Sequence, residues 1–472
     1  MNRLRLLGFS LVAFVVAVGA ACSGDDGDAT ETPATQGTST STPTAEASAN
    51  ASATAATDLE AALPSLSEDI DALLSPFSTG FDADRIRRVG LAEDERLAWL
   101  VSDMLRFVDN SESLTALEEA FADLVGAERG EYRRWVEITN YLIANDIPAP
   151  DGYQAWKREL YLKFGEEWAP FFGDPDAEVD WRLVSWGGVA IDDRPIDPPN
   201  SACFVCIPAL NDPGVTDADG GDWHADESLV FGVEVNGETR AYPKHQMEVH
   251  EMVNDTLGGR RIAVVYCTLC GAAQAFFTDE LPDGIETPTG TFELRTSGLL
   301  SRSNKVMYEF HTQSYFDTFL GRAVSGPLQD VGLVLEPISV STATWGEWKL
   351  GHPDSSIVAE DGGIDREYPL DPLRNRDAFG PIFPIGDVDP RLPVQDQVLG
   401  VVHGDLVVAF SEVTARAALL AGRPVEFADV VVDFEAGALR ARTSEGAPLT
   451  THQAFWFAWS QFRPGTEVWG LE

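Results

Sequence analysis

Basic side chains are scarce in this sequence: its 472 residues include 33 Lys and Arg against 76 Asp and Glu. The formal net charge is therefore −43, and so anionic a surface repels the phosphates of nucleic acids and the head groups of anionic lipids. Nucleic acid is accordingly not expected as a partner. Any attachment to a membrane is expected through a covalent lipid anchor only.

Signatures of several common enzyme classes are missing as well. The sequence has no Gly-x-Ser-x-Gly elbow, no P-loop, no His-Glu-x-x-His and no Gly-x-Gly-x-x-Gly that follows a predicted strand. These absences disfavour the common hydrolases, nucleotide enzymes and zincins. After residue 18, no apolar run approaches the length of a membrane span. With 12 Trp and 25 Phe, the chain can nevertheless bury a large core.

The N-terminus has the pattern of a secretory signal. Two arginines precede an apolar run from Leu6 to Val18, which suits a signal peptide and is too short for a permanent membrane helix. Small residues then lead to Cys22, as at a bacterial lipoprotein cleavage site. We predict a signal peptide over residues 1–21 and lipidation of Cys22. Because Gly19 stands where an aliphatic residue is usual, cleavage without a lipid is the alternative.

Residues 22–57 form a low-complexity stretch. It starts with a short acidic segment and continues almost entirely as Ala, Ser, Thr, Pro and Gly. Such a composition cannot repay the entropy of ordering. We therefore predict a lipid-anchored linker, and an exported protein held in the cell envelope at the outer face of a membrane.

Residues 58–180 have a helical period. Apolar side chains recur three and four positions apart in several stretches, so each stretch predicts a helix with one buried face. Ser113 is the expected N-cap of the second helix, and Gly126 lies just past its end. We predict an all-α helical domain here. The stripes begin with Leu97, Leu100, Val101, Met104 and Leu105, and continue with Leu114, Leu117, Phe121 and Leu124.

Beyond residue 180, short apolar runs are separated by Gly, Pro and Asn-Gly. Leu229–Val235 and Glu238–Tyr242 flank Asn236-Gly237, which predicts a β-hairpin because Asn-Gly suits a type I′ turn. We predict a β-rich domain over residues 181–472, with a mixed or antiparallel sheet or barrel and a few helices. The fold class is thus α+β, an N-terminal all-α helical domain followed by a large β-rich domain. Further strands are expected over 261–266, 273–277, 292–297, 306–310 and 333–340.

The chain has few cysteines, but four of the five form two Cys-x-x-Cys pairs. Cys267 and Cys270 stand where a predicted strand turns, and Gly271 lets the backbone open after them. A Cys-x-x-Cys turn brings two sulfurs to one point, so the pair could chelate a metal or cycle between dithiol and disulfide. His250 is the candidate third ligand, because a Gly-Gly turn can fold its segment back beside that strand.

Two thiolates and an imidazole suit zinc or copper, and an added thioether from Met307 would favour copper. The alternative is equally concrete. In an oxidising compartment Cys267 and Cys270 would form a structural clip, and His250 would only order a loop through hydrogen bonds.

Cys203 and Cys206 form the second pair, about sixty residues upstream. If both pairs meet in space, four thiolates would make a closed structural zinc site. The competing interpretation is two local disulfides, which an oxidising compartment favours. Because no His follows either pair directly, covalent haem attachment is not indicated.

Several motifs in order resemble a bacterial and archaeal domain family of unknown function. The resemblance covers about residues 195–462 and implies an exported or lipid-anchored protein, without an established activity. Thr268 departs from the family pattern, which usually has Pro there, and this change is expected to loosen the turn. The motifs include Cys206-Ile207-Pro208, His250-Glu251 with Val253-Asn254-Asp255, Tyr266-Cys267 with Leu269-Cys270-Gly271, and Met307-Tyr308.

Three functions remain open at this point. The first is an envelope lipoprotein that binds copper or zinc, or performs thiol redox chemistry, at Cys267, Cys270 and His250. The second is a non-catalytic module with structural disulfides, which binds a small-molecule ligand or another envelope protein. The third is an enzyme that uses Glu251 or Asp255 as a general base.

Overall fold

The computed structural model describes residues 81–108 and 110–471. The predicted signal peptide over residues 1–21, the lipidated Cys22, the linker over residues 22–57 and the first part of the predicted helical domain lie outside these residues. Among the helices of the described ranges, none combines the length and the apolar character that a membrane span requires.

Helices come first along the described chain and coincide with the stretches of helical period, so the prediction of helices here is confirmed. Their apolar faces are buried, including every apolar position of the first stripe from Leu97 to Leu105. The helices are α1 (Ala83–Gly90), α2 (Ala98–Leu105), α3 (Ser111–Val125), α4 (Trp135–Ala144), α5 (Tyr153–Tyr161) and α6 (Ala169–Phe172), with 3₁₀ turns at Glu95–Leu97 and Glu166–Trp168.

Helix α3 begins earlier than its apolar stripe indicates, and the prediction of Ser113 as its N-cap is wrong. Asn110 is the N-cap, because its Oδ1 accepts the Ser113 backbone N–H at 2.8 Å. The Ser113 hydroxyl instead donates to the Phe81 carbonyl at 2.8 Å. Gly126 ends the helix with a φ of +69°, as predicted.

Strands dominate the chain after residue 183, with short helices between them. The helices are α7 (Lys244–His250), α8 (Pro327–Asp330), α9 (Trp345–Gly351), α10 (Glu412–Leu420) and α11 (Trp456–Phe462), with 3₁₀ turns at Asp219–Gly221 and Arg376–Phe379. The strands are β1 (Val184–Trp186), β2 (Leu210–Asn211), β3 (Val215–Asp217), β4 (Leu229–Val235), β5 (Glu238–Pro243), β6 (Met252–Leu257), β7 (Arg260–Cys267), β8 (Ala272–Phe277), β9 (Leu294–Ser301), β10 (Asn304–Glu309), β11 (Ser314–Asp317), β12 (Arg322–Ala323), β13 (Pro337–Ile338), β14 (Val340–Thr344), β15 (Ser356–Val358), β16 (Gln397–His403), β17 (Leu406–Ser411), β18 (Val425–Phe427), β19 (Val430–Glu435), β20 (Ala438–Thr443), β21 (Pro448–Leu449), β22 (Thr451–Phe455) and β23 (Glu467–Val468).

The strands build four sheets. The largest has the order β2-β6-β7-β8-β22-β16-β17-β23, with β13 on β8, and the others have the orders β1-β9-β10-β11-β12, β14-β4-β5-β15-β3 and β18-β19-β20-β21. Antiparallel pairs predominate, but β2 pairs with β6 in parallel, as β5 does with β15, so the sheets are mixed. The α+β class is thus confirmed, whereas the barrel, which was the alternative to a sheet, is not. The hairpin of β4 and β5 is also confirmed, with positive φ at Asn236 and Gly237.

The helical region and the sheet of β1 and β9–β12 bury one common core. The Phe171 ring stacks on Tyr315 with centroids 4.5 Å apart. Lys157, fully buried on α5, donates to the Val184 carbonyl at 2.5 Å and pairs with Asp103 at 2.9 Å. The two regions are therefore packed against each other, and the buried lysine joins them through β1.

A long irregular segment, residues 359–396, connects β15 to β16 and is named the strap below. It carries the 3₁₀ turn Arg376–Phe379, and most of its side chains are exposed or half-buried. The backbone N–H groups of Ile385 and Gly386 both donate to Asn140 Oδ1 on α4, each at 2.8 Å. The strap therefore reaches from the sheets to the helical region.

Candidate functional site

The second Cys-x-x-Cys turn joins β7 to β8 in the middle of the largest sheet, where the sequence predicts a strand end. Cys267 ends β7, and the Cys270 N–H donates to the Cys267 carbonyl at 3.2 Å. Gly271 follows with a φ of +56°, a conformation that favours glycine. The Phe455 N–H on β22 donates to the Cys270 carbonyl at 2.8 Å. Backbone hydrogen bonds thus fix the turn from both sides.

Both thiols of this turn are free and buried, with exposed fractions of 2% for Cys267 and 0% for Cys270. The Ser303 carbonyl oxygen lies 3.7 Å from Cys267 Sγ and 3.4 Å from Cys270 Sγ. The Lys305 backbone N–H donates to Cys267 Sγ at 3.5 Å. Both sulfurs therefore lie beside one carbonyl oxygen, and the backbone donor of Lys305 contacts Cys267.

The pKa values of the two thiols shift in opposite directions. Burial raises the pKa of Cys267, but hydrogen bonds from Cys270 and from the Lys305 backbone outweigh it, so the value lies below the ordinary one. Burial raises the pKa of Cys270 well above the ordinary value, and its hydrogen bond to Cys267 and the charge of that neighbour raise it further. Of the two thiols, Cys267 therefore loses its proton more readily.

A cavity of about 130 Å³ lies beside Cys267 and is not lined by Cys270. Much of its wall is apolar, and the charged side chains Glu251, Lys305 and Arg376 complete it. A larger cavity of about 330 Å³ lies near the same turn, lined by Tyr266, Gly271 and Phe455, but neither sulfur lines it. We therefore place the candidate site at the smaller cavity. Its apolar wall includes Ile207, Leu299, Leu300, Ile382 and Phe383.

The polar wall of the cavity is a connected network. Lys305 Nζ donates to the Glu251 carbonyl at 2.9 Å and lies 3.3 Å from Glu251 Oε2. The Thr268 hydroxyl donates to Glu251 Oε1 at 2.7 Å, a contact that a proline at this position could not make. Lys305 and Thr268 are each 3% exposed. These contacts hold Thr268, the residue after Cys267, to the buried ion pair of Glu251 and Lys305.

The strap forms one wall of the cavity, through Arg376, Ile382 and Phe383. Arg376 Nη2 donates to the Thr268 carbonyl at 2.6 Å, next to Cys267 in the chain. Phe383 lines the cavity and packs edge-on against Trp135 of α4, with ring centroids 5.6 Å apart. The helical region therefore positions one wall of the site through the strap.

His250 is the last residue of α7. The chain that follows it lies beside β7, as predicted, because the Tyr266 N–H donates to the carbonyl of Glu251, the next residue after His250, at 3.0 Å. The ring nitrogens of His250, however, contact oxygens: Nδ1 lies 2.7 Å from the Pro208 carbonyl and Nε2 lies 2.7 Å from Tyr368 Oη of the strap. Burial lowers the pKa of His250 to about 4. The ring therefore links the strap to the segment before β2.

No group of three or more His, Cys, Asp or Glu side chains is arranged to hold a metal within residues 81–108 and 110–471. Both nitrogens of His250 already have oxygen partners, so this arrangement offers a metal the two sulfurs of Cys267 and Cys270 without that imidazole. Met307 is fully buried among apolar side chains. The copper or zinc site at His250, Cys267 and Cys270 stays a prediction.

Cys203 and Cys206 are joined by a disulfide, which corresponds to the local-clip interpretation of this pair. A disulfide has no thiolate to offer a metal, so the four-thiolate zinc site is not formed here. Phe204, within this turn, is 95% exposed. Ile207, directly after it, lines the cavity beside Cys267.

The two candidate general bases have different surroundings. Asp255 accepts hydrogen bonds from Arg240 Nη1 at 2.6 Å and from the Tyr242 hydroxyl at 2.8 Å, so its carboxylate is buried in a structural pair. Glu251 lines the cavity, but its carboxylate is engaged by Thr268 and Lys305. Only Glu251 thus belongs to the candidate site.

Sequence reasoning missed several residues of the site. Lys305 and Ser303 lie just before the Met307-Tyr308 motif, so a search around that motif would have included them. Arg376 and Tyr368 stand in the strap, whose sequence has no helical or alternating period, and nothing in it points to Cys267 or His250.

Comparison with known proteins gives a family and no activity. Residues 205–445, more than half of the chain, match the family described as "Protein of unknown function (DUF3179)". The match includes both the Cys267 turn and the strap. No curated protein and no solved structure matches the chain. The resemblance of the motifs to a family of unknown function agrees with this result, and the chain belongs to the DUF3179 family.

Proposed function

We propose that this protein performs two-electron thiol redox chemistry, with Cys267 as the attacking thiol and Cys270 as the resolving thiol. The observation that carries the proposal is a pair of free thiols whose sulfurs lie 3.7 Å and 3.4 Å from the same Ser303 carbonyl oxygen, and of which only Cys267 lines a cavity. The Lys305 backbone N–H, which donates to Cys267 Sγ at 3.5 Å, supports the role of Cys267 as the thiolate, because the thiolate is the reactive form.

The chemistry has two steps. The Cys267 thiolate attacks an electrophilic sulfur or oxygen of a disulfide or a peroxide, forms a bond to it and displaces the first leaving group. Cys270 then loses its proton, and its sulfur attacks Cys267 Sγ and displaces the remaining fragment. Two electrons pass from the two thiols to the oxidant, which is cleaved. A dithiol reductant restores the reduced pair.

Redox titration of the full chain tests the proposal. The protein is equilibrated in mixtures of reduced and oxidised dithiothreitol, alkylated, and analysed site by site by mass spectrometry. We expect Cys267 and Cys270 to convert together as one two-electron couple. The variants C267S and C270S should lose this conversion, while the Cys203–Cys206 pair should titrate separately.

Two outcomes would oppose the proposal. A Cys267–Cys270 pair that stays reduced at every potential would favour the binding-module alternative. Zinc or copper that copurifies from the native envelope and is lost in C267S would favour the metal alternative.

We also propose that the chain is exported and anchored to the outer face of a membrane through a lipid on Cys22. The apolar run before Cys22 and the low-complexity stretch after it support this location. Metabolic labelling with an alkyne fatty acid should mark the wild-type protein and not C22A. A soluble, unlabelled protein that starts after residue 21 would indicate cleavage without a lipid.

A further inference from the structure

The attacking thiol of the proposed function is difficult for a macromolecule to reach. Cys267 is 2% exposed, and its turn lies between two strands in the middle of the largest sheet. Attack on a protein disulfide requires the sulfurs of the partner chain to approach Sγ in line, with their backbone beside it. The strap side chains Arg376 and Phe383 line the cavity beside Cys267, and Arg376 donates to the carbonyl of the next residue, Thr268.

The cavity sets an upper limit on the size of a substrate. Its volume of about 130 Å³ is close to the roughly 150 Å³ of an engineered apolar cavity that binds benzene. A small molecule fits a cavity of that volume beside Cys267, whereas a peptide or a large disulfide does not.

The lining separates into an apolar part and a charged part. Leu299, Leu300 and Ile382 offer a surface for a small alkyl group. Lys305 is paired with Glu251 in the charged part, which leaves Arg376 as its second cation. The contacts of Arg376 with the Thr268 carbonyl and with Asp377 both use Nη2, one of the several nitrogens with N–H donors on a guanidinium. Such donors stabilise an oxygen anion that leaves during a displacement.

We infer that the oxidant reduced at Cys267 is a small alkyl hydroperoxide. This inference rests on the proposed thiol redox function and narrows its substrate class. A hydroperoxide joins an apolar group to an electrophilic oxygen, and its leaving oxygen becomes an anion that the Arg376 guanidinium is suited to stabilise.

The two thiols reduce the hydroperoxide in two steps. The Cys267 thiolate attacks the terminal oxygen of the hydroperoxide, the O–O bond breaks, an S–O bond forms, and the leaving alkoxide takes a proton from solvent to become an alcohol. Cys270 gives up its proton, and its sulfur attacks Cys267 Sγ. Hydroxide leaves and combines with that proton as water. One hydroperoxide is reduced by two electrons, and two thiols are oxidised to one disulfide.

Single-turnover kinetics on the reduced full chain test the inference. The probes are tert-butyl hydroperoxide, the bulkier cumene hydroperoxide and the disulfides of insulin. We expect tert-butyl hydroperoxide to react at least about tenfold faster than cumene hydroperoxide, because the larger alkyl group overpacks the cavity. Insulin disulfides should react more slowly than either. The product should be the Cys267–Cys270 disulfide, with one alcohol released for each pair oxidised.

A filled cavity gives the matched control. I382W replaces an aliphatic side chain of the cavity wall with a larger indole ring. This variant should slow the reaction with tert-butyl hydroperoxide by about tenfold or more. F379W makes a similar change at a strap position that is 81% exposed and outside the lining, and it should keep the wild-type rate.

The outcomes separate the two proposals. If dithiothreitol mixtures interconvert the pair but insulin reacts faster than both hydroperoxides, the hydroperoxide inference fails and thiol redox chemistry remains. Equal rates for the two hydroperoxides in wild type and I382W would also overturn it. If no oxidant joins Cys267 to Cys270, both proposals fail.

Discussion

The two Cys-x-x-Cys turns of this chain have the same spacing and opposite states. Cys203 and Cys206 are joined by a disulfide in a half-buried loop whose middle residues, Phe204 and Val205, are exposed. Cys267 and Cys270 are free, buried and held between two central strands. Spacing alone therefore does not decide what a Cys-x-x-Cys pair does.

The surroundings of the sulfurs account for the difference. In the second turn, backbone groups of Ser303 and Lys305 contact the sulfurs, and Cys267 lines a cavity. The first turn is held through its backbone, where the Ala190 N–H donates to the Val205 carbonyl at 2.8 Å. One pair thus fastens a loop, and the other is surrounded by groups that act on its chemistry.

The largest expected contrast between the turns is in alkylation. Without reductant at neutral pH, iodoacetamide should modify Cys267 at least about tenfold faster than Cys270, because the pKa of Cys267 lies below the ordinary thiol value and that of Cys270 well above it. Cys203 and Cys206 should not react at all. Mass spectrometry of the full chain, site by site, measures all four rates.

The pH profile supplies the control for this contrast. As the pH rises, the alkylation rate at Cys267 should reach its plateau at a lower pH than the rate of an ordinary thiol does. At that pH, the alkylation rate at Cys270 should still be increasing. C270A removes the neighbouring S–H group, whose hydrogen bond lowers the pKa of Cys267, and should move that profile to higher pH. Equal rates at the two sites in the wild type would contradict the assignment of attacking and resolving thiols.

The local parts of the site could be predicted from the sequence, because they depend on short-range rules. Asn236-Gly237, the turn after Cys267 and the position of Gly271 follow from backbone preferences over a few residues. The disulfide of Cys203 and Cys206 was one of the two alternatives, since spacing cannot distinguish a clip from a ligand pair.

The long-range parts could not be predicted. The strap brings Arg376 and Tyr368 to the site across more than a hundred residues of chain, and their contacts depend on tertiary packing. His250 was expected beside the sulfurs, and its segment does lie beside β7, but the direction of its ring is set by Pro208 and Tyr368. The apolar stripe starts at Leu114 and therefore predicts Ser113 as the cap, whereas Asn110 caps the helix and Ser111 is its first residue.

G271A should have the largest effect on stability. An alanine at φ +56° is strained, and its Cβ would lie 2.8 Å from the Phe455 ring, so the free energy of unfolding should fall by about 2–5 kcal/mol. G259A is the matched control, because Gly259 also has a positive φ but nothing within 4 Å of the added Cβ, and it should cost about 1–2 kcal/mol. Urea unfolding of both variants measures the difference. Equal losses would mean that the turn does not pack tightly on β22.

T268V should be milder. Valine keeps the shape of Thr268 but removes the hydroxyl that donates to Glu251 Oε1, so the free energy of unfolding should fall by about 1–3 kcal/mol. T268S keeps the hydroxyl and loses one methyl group, for a cost of about 1 kcal/mol. If T268S is as unstable as T268V, packing rather than the hydrogen bond to Glu251 holds the turn.

The double variant C203S/C206S should have the smallest effect. A disulfide that closes a loop of so few residues removes little entropy from the unfolded chain, so the loss of stability should be about 2 kcal/mol at most. Because the first turn acts as a clip, alkylation and single-turnover oxidation of Cys267 should keep their wild-type rates. Ile207 directly follows Cys206 and lines the cavity beside Cys267, so a change in the position of the first turn would also change the wall of that cavity. If instead the variant oxidises Cys267 once but cannot be re-reduced by a dithiol, the first pair passes electrons to the second, and the two turns are successive parts of one pathway.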